Sequence, residues 1–110
     1  MDEEHFAQNI RKAGRLLMLA EQQIAVTEAT EKRITAQAMV RGEAHACKTN
    51  AAQIRYADLD QDVFDARVSK GVAKGSLAAA KSEFRACEIE FEKWRSESAS
   101  RRLERKVYNT

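Results

Sequence analysis

The sequence contains no proline and only four glycines, so few points force its backbone out of a helix. Aromatic residues make up 6% of the chain, so few large side chains are available for burial. Two cysteines are too few for the disulfide framework of a small secreted domain, and reduced thiols in a cytosolic compartment are expected. No window approaches the ~18 consecutive apolar residues of a membrane span. The opening stretch MDEEHFAQNI is acidic rather than signal-like, so a cytoplasmic protein without membrane association is expected. Net charge is +2, short of the excess that marks strong non-specific nucleic-acid binders.

What is present is helical. Charged residues reach 33% and hydrophobic ones 44%, many of the latter alanine. That mixture with a helical period is the signature of long helices or coiled coils. Leu77, Ala80, Phe84, Cys87, Phe91 and Trp94 alternate in steps of three and four, as do Phe6, Ile10, Ala13, Leu17, Ala20 and Ile24. Each set defines an apolar seam that must be buried against another helix. Around Thr27 and Glu31 the first seam turns polar, which marks a weakly packed segment or a place where the helix leaves the core.

The expected fold is all-α: two or three long helices in an antiparallel hairpin or bundle with coiled-coil-like packing. Helices are placed at about 3–40, 43–68 and 76–107. Gly42 serves as the first break, 69–75 as a loop, and Ser76 as the N-cap of the third helix. Two glycines within five residues give 69–75 the clearest turn chemistry in the chain. The rival is a helix continuous through this stretch, because Lys70, Ala73 and Leu77 keep the heptad phase across it. An alanine-lined seam stabilises less than a leucine-lined one, so self-association through Leu77, Phe84, Cys87, Phe91 and Trp94 is expected, giving a homo-oligomer.

Asp58-Leu59-Asp60-Gln61-Asp62-Val63-Phe64-Asp65 superficially resembles a calcium loop, but Val63 stands where the sixth-position glycine belongs and Ser69 where the twelfth-position glutamate belongs. Apolar spacing instead places the stretch on one helix, with Asp58, Asp62 and Asp65 on a shared face. That face is either solvated and salt-bridged or a docking patch for a basic partner. Arg101, Arg102, Arg105 and Lys106 are the best candidates for phosphate contacts, although basic residues at a helix C-terminus also complement its dipole. Trp94 reads as a core anchor rather than a base-stacking platform. His45 and Cys47, two residues apart, point to different faces and need a third ligand to hold a metal. Gly71-Val72-Ala73-Lys74-Gly75-Ser76 lacks phosphate-loop spacing and follows a helix rather than a strand. No nucleophile stands beside a base at a recognisable spacing. The expectation is therefore a non-enzymatic protein, without cofactor or metal.

Asp65-Ala66-Arg67-Val68-Ser69-Lys70-Gly71, then Gly75-Ser76-Leu77-Ala78-Ala79-Ala80-Lys81, then a charged helix through Trp94-Arg95-Ser96-Glu97-Ser98, resembles a group of small phage and prophage proteins. Their pattern is an alanine-rich helix, a short Gly-Ser/Thr break, a second amphipathic helix and an Arg-Ser-x-x tail. The resemblance covers about residues 50–102, and Ala79 departs from it where an acidic residue is usual. It implies a three-helix or hairpin architecture and a phage-encoded accessory protein working on host or phage DNA metabolism. The first expectation is a non-enzymatic protein that binds another protein, such as a recombination or replication component. A weak nucleic-acid-binding accessory using the basic tail, and a purely structural oligomer, are the alternatives.

Overall fold

The computed structural model describes residues 2–108. Among them the regular structure is entirely helical: α1 (Glu3–Ala44), α2 (Asn50–Asp58) and α3 (Gln61–Tyr108). The chain divides into two compact units, Met1–Met18 with Ala79–Thr110 (the terminal unit) and Leu19–Ala78 (the turn unit).

In the terminal unit the first turns of α1 run antiparallel to the last half of α3. The ring of Phe6 lies 5.4 Å from that of Trp94 and 6.2 Å from that of Phe91, and the latter two stack at 6.1 Å. Two turns further along α1, Gly14 faces Phe84, whose ring lies 3.5 Å from where a Cβ would stand. Phe6, Ala13 and Cys87 are buried. Ile10, Leu17, Phe84, Phe91 and Trp94 are only half-buried, because two helices alone cannot close around a seam.

The turn unit adds a third element. Ala38, Ala57 and Val63, one from each helix, are fully buried against one another, with Ile34 and Met39 packed around them. Two of these are alanines, so the helices approach closely and Val63 is the largest fully buried side chain. Its burial contributes about 2 kcal/mol. Thr27 is buried on the same seam, and its hydroxyl donates to the carbonyls of Gln23 (2.9 Å) and Ile24 (3.1 Å). The polar stretch of the first seam thus stays within the packed interface.

Four expectations from the sequence are corrected here. Gly42 is not a break: α1 continues through it, and the glycine is buried where a Cβ would come within 3.0 Å of the Tyr56 ring. The stop comes after Ala44, where Cys47 N–H donates to the Gly42 carbonyl and Ala46 N–H to that of Glu43. This is a Schellman cap. Ala46 holds the left-handed position, φ 70°, that glycine usually takes.

Residues 69–75 are not a loop, and Ser76 caps nothing: α3 runs through both. Gly71 and Gly75 sit on exposed turns with nothing within 4 Å of their missing Cβ atoms. Each costs about 1 kcal/mol of helix propensity. The stripe of buried Ala66 and Ala73 with half-buried Lys70 and Leu77 outweighs that cost.

The expected second helix, 43–68, is instead split by a reversal at Leu59 and Asp60. Thr49 begins α2 by accepting from Ala52 N–H. Asp60 begins α3 by accepting from the N–H groups of Asp62 (2.9 Å) and Val63 (3.2 Å). The chain therefore folds back across residues 45–60, so Cys47 lies in the connection before α2 rather than on a helix.

Finally, Asp58 closes α2 while Asp62 and Asp65 belong to α3, so the three do not share a helix face.

Candidate interaction surfaces

The turn unit gathers the charges. Glu31, on the α1 seam, reaches Lys70 Nζ at 3.5 Å and Arg67 Nε at 3.6 Å, and its side chain is only 16% exposed. Lys70 is itself a seam residue on α3, so the two stripes meet here through opposite charges rather than methyl groups. Arg67 continues the network to Asp58 (2.8 Å). A partly buried pair of this kind fixes which residue faces which more than it adds stability.

At the reversal, Arg41 donates to Asp60 Oδ2 at 2.8 Å. That hydrogen bond, with the two backbone N–H groups of the cap, holds the Asp60 carboxyl below the usual aspartate range. Asp60, Arg41, Arg67, Lys70 and Glu31 were missed as site residues by sequence reasoning. The signal was present for one pair: Glu31 and Lys70 are seam positions of opposite sign.

Of the expected acidic patch, Asp58 is engaged by Arg67, and Asp65 accepts from Gln61 Nε2 at 2.9 Å. Asp62 and Asp65 line an open groove of about 670 Å³ between α1 and α3, distinct from the position of Asp58. Val26, Ile34 and Ala66 supply apolar surface along it, and Arg33, Gln37 and Ser69 its edges. Phe64 and Val68, one turn apart on α3, are 57% and 49% exposed.

The expected seam residues are engaged within the chain. Phe84 packs on Gly14, and Phe91 and Trp94 on Phe6. Leu77 is half-buried in the turn unit. Cys87 is buried, and desolvation with the nearby carboxylates of Glu83 and Glu90 pushes its thiol above the ordinary cysteine range. A neutral thiol of this kind packs as a small hydrophobe.

Every residue from 99 to 108 is exposed, including Arg101, Arg102, Arg105 and Lys106. Arg101 reaches Glu97 at 3.7 Å, and Leu103 remains 67% exposed. His45 stacks on Tyr56 at 5.8 Å, and both cysteines are free. Among the described residues no group of three or more His, Cys, Asp or Glu side chains could hold a metal ion, and no helix is long and apolar enough to cross a membrane.

Comparison of the chain with protein-family models, curated proteins and solved structures finds no match.

Proposed function

We propose that this is a non-enzymatic interaction protein whose long helices present docking surface to another protein. The observation that carries the reading is the large apolar side chain left exposed on α3 of the turn unit, where Phe64 and Val68 form a row one turn apart. Exposed apolar surface framed by charge marks interaction sites. Arg67, paired with Asp58, stands between Phe64 and Val68 in sequence on the same helix. The resemblance to small phage proteins supplies the setting: an accessory protein in the cytoplasm of a host cell, engaging a component of DNA recombination or replication.

The test immobilises the chain, passes nuclease-treated bacterial lysate over it and identifies what is retained at moderate salt. The reading expects one stoichiometric protein whose retention is lost when Phe64 and Val68 are both changed to Ser. Retention unchanged by that pair, or none at all, contradicts it.

A second reading is favoured by the exposed basic turns at the end of α3, where Arg101, Arg102, Arg105 and Lys106 would contact phosphates. Binding of this kind falls steeply between low and moderate salt. A mobility shift that vanishes on changing these four residues to Ser, with the helix content intact, would support it.

A further inference from the structure

The groove of the turn unit has unlike sides. On α1 Val26 and Arg33 line it two turns apart; on α3 Asp65 lines it, and Val72, two turns on, continues the same helix stripe beyond it. Val26 and Val72 are 58% and 65% exposed. Arg33 has no ion-pair partner among the described residues, whereas Arg41, Arg67 and Lys70 of the same unit all do. The α1–α3 register follows from two contacts, Glu31 with Arg67 and Lys70, and Arg41 with Asp60. In that register Arg33 is level with Asp65 to within about one turn, and Val26 is level with Val72 to the same precision.

We infer that a second copy of this chain docks on this groove, with α1 of each copy laid over α3 of the other about a two-fold axis parallel to the helices. Such an axis preserves height along the helices. It therefore sets Arg33 of one copy against Asp65 of the other, and Val26 against Val72, each contact occurring twice. A closed pair of identical subunits needs a patch complementary to itself. A basic, apolar side facing an acidic, apolar side meets that condition under this axis. The other face-to-face choice, an axis across the helices, sets α1 on α1 and α3 on α3. That axis inverts height: where it passes level with Arg33 and Asp65 it brings like charges together, and at no level does it set Arg33 against Asp65. The inference is independent of the Phe64–Val68 surface, so either can fail while the other stands.

Sedimentation velocity of the full chain over a range of concentrations tests it. The expected result is a reversible dimer at tens of micromolar. Arg33→Asp and Asp65→Arg should each raise its dissociation constant about tenfold or more, because each change alters two symmetric contacts. The combined R33D/D65R variant should restore it. All these positions are exposed, and circular dichroism of each variant checks that the fold is kept. A second arm mixes a Val26→Cys/Cys47→Ser chain with a Val72→Cys/Cys47→Ser chain, and mild oxidation should then yield a covalent dimer holding one of each. A monomer at every concentration overturns the inference. So does a dimer indifferent to both charge reversals, one that the combined variant does not restore, or the absence of the covalent dimer.

Discussion

The two units solve the same problem, joining α1 to α3, with different chemistry. The terminal unit relies on rings: Phe6 meets Phe91 and Trp94 at a tilt, the latter two stack, and Phe84 packs against Gly14. The turn unit has a small-residue core of Ala38, Ala57 and Val63 and a polar layer at Thr27, Glu31 and Lys70. Rings bury area but tolerate sliding, whereas a charge pair on facing seams penalises every register but one. The difference teaches that adhesion and alignment are divided along the chain: aromatic contacts hold the terminal unit, and the turn unit specifies the pairing.

The largest expected effect breaks the terminal side of that comparison. Phe6→Ala removes a buried ring touching two others and should cost about 3–4 kcal/mol. Trp94→Ala should cost less because the indole is half-buried. Trp94 is the sole tryptophan, so its fluorescence in a urea titration reports this unit directly for the Phe6 variant. A near-neutral Phe6→Ala would show that the rings do not hold the helices together.

Next comes the polar layer. Glu31→Gln leaves Lys70 and Arg67 without their shared carboxylate and should cost about 1–2 kcal/mol, a buried-pair loss discounted for partial exposure. Replacing Glu31 and Lys70 together by Leu should be neutral or stabilising in a chemical melt. If alignment is the role of the pair, that double variant should nonetheless broaden the amide NMR spectrum of the turn unit.

Two glycines sharpen the contrast further, with opposite signs. Gly14→Ala places a methyl at ordinary contact with Phe84 and gains helix propensity, so a stabilisation of about 0.5–1 kcal/mol is expected. Gly42→Ala pushes a methyl to 3.0 Å from the base of the Tyr56 ring, where backbone attachment limits retreat. There the expected change is a destabilisation of about 1 kcal/mol. Thermal melts of the pair decide it.

The smallest effect concerns pH. The Asp60 carboxyl is held below its unfolded value, chiefly by the hydrogen bond from Arg41, so the unfolded chain binds the proton more tightly. The stability it contributes is complete above the unfolded aspartate value of about 3.9 and is lost as pH falls through the lowered folded value. Asp60→Asn should flatten that part of a stability–pH curve and leave the neutral-to-alkaline part parallel to the parent.

Much of the helical pairing was legible in the residues. The three–four alternation from Phe6 to Ile24 and from Leu77 to Trp94 named the buried stripes, and Lys70, Ala73 and Leu77 already carried the phase through the glycine pair. The turns were not legible, for a common reason. Glycine in a sequence suggests punctuation, but Gly42 serves close approach to Tyr56, and Gly71 and Gly75 are tolerated on exposed helix. The actual stop uses Ala46 in a left-handed conformation, a residue type that gives no such warning. Asp60 was counted in an acidic run, although the same carboxylate caps α3 and thereby ends any helix spanning Asp58 to Asp65. The single helix face expected of that run is divided accordingly, with Asp58 on α2 and Asp62 and Asp65 on α3.

The account stands on the chain reversing at 45–60 rather than at 69–75. The most direct measurement is a nuclear Overhauser spectrum of the full chain, in the aromatic region and at the glycine Hα protons. Reversal at 45–60 predicts cross-peaks between Phe6 and Trp94 and between Gly14 and Phe84. Their absence, with contacts instead between Cys87 and the Asp58 region, would contradict it.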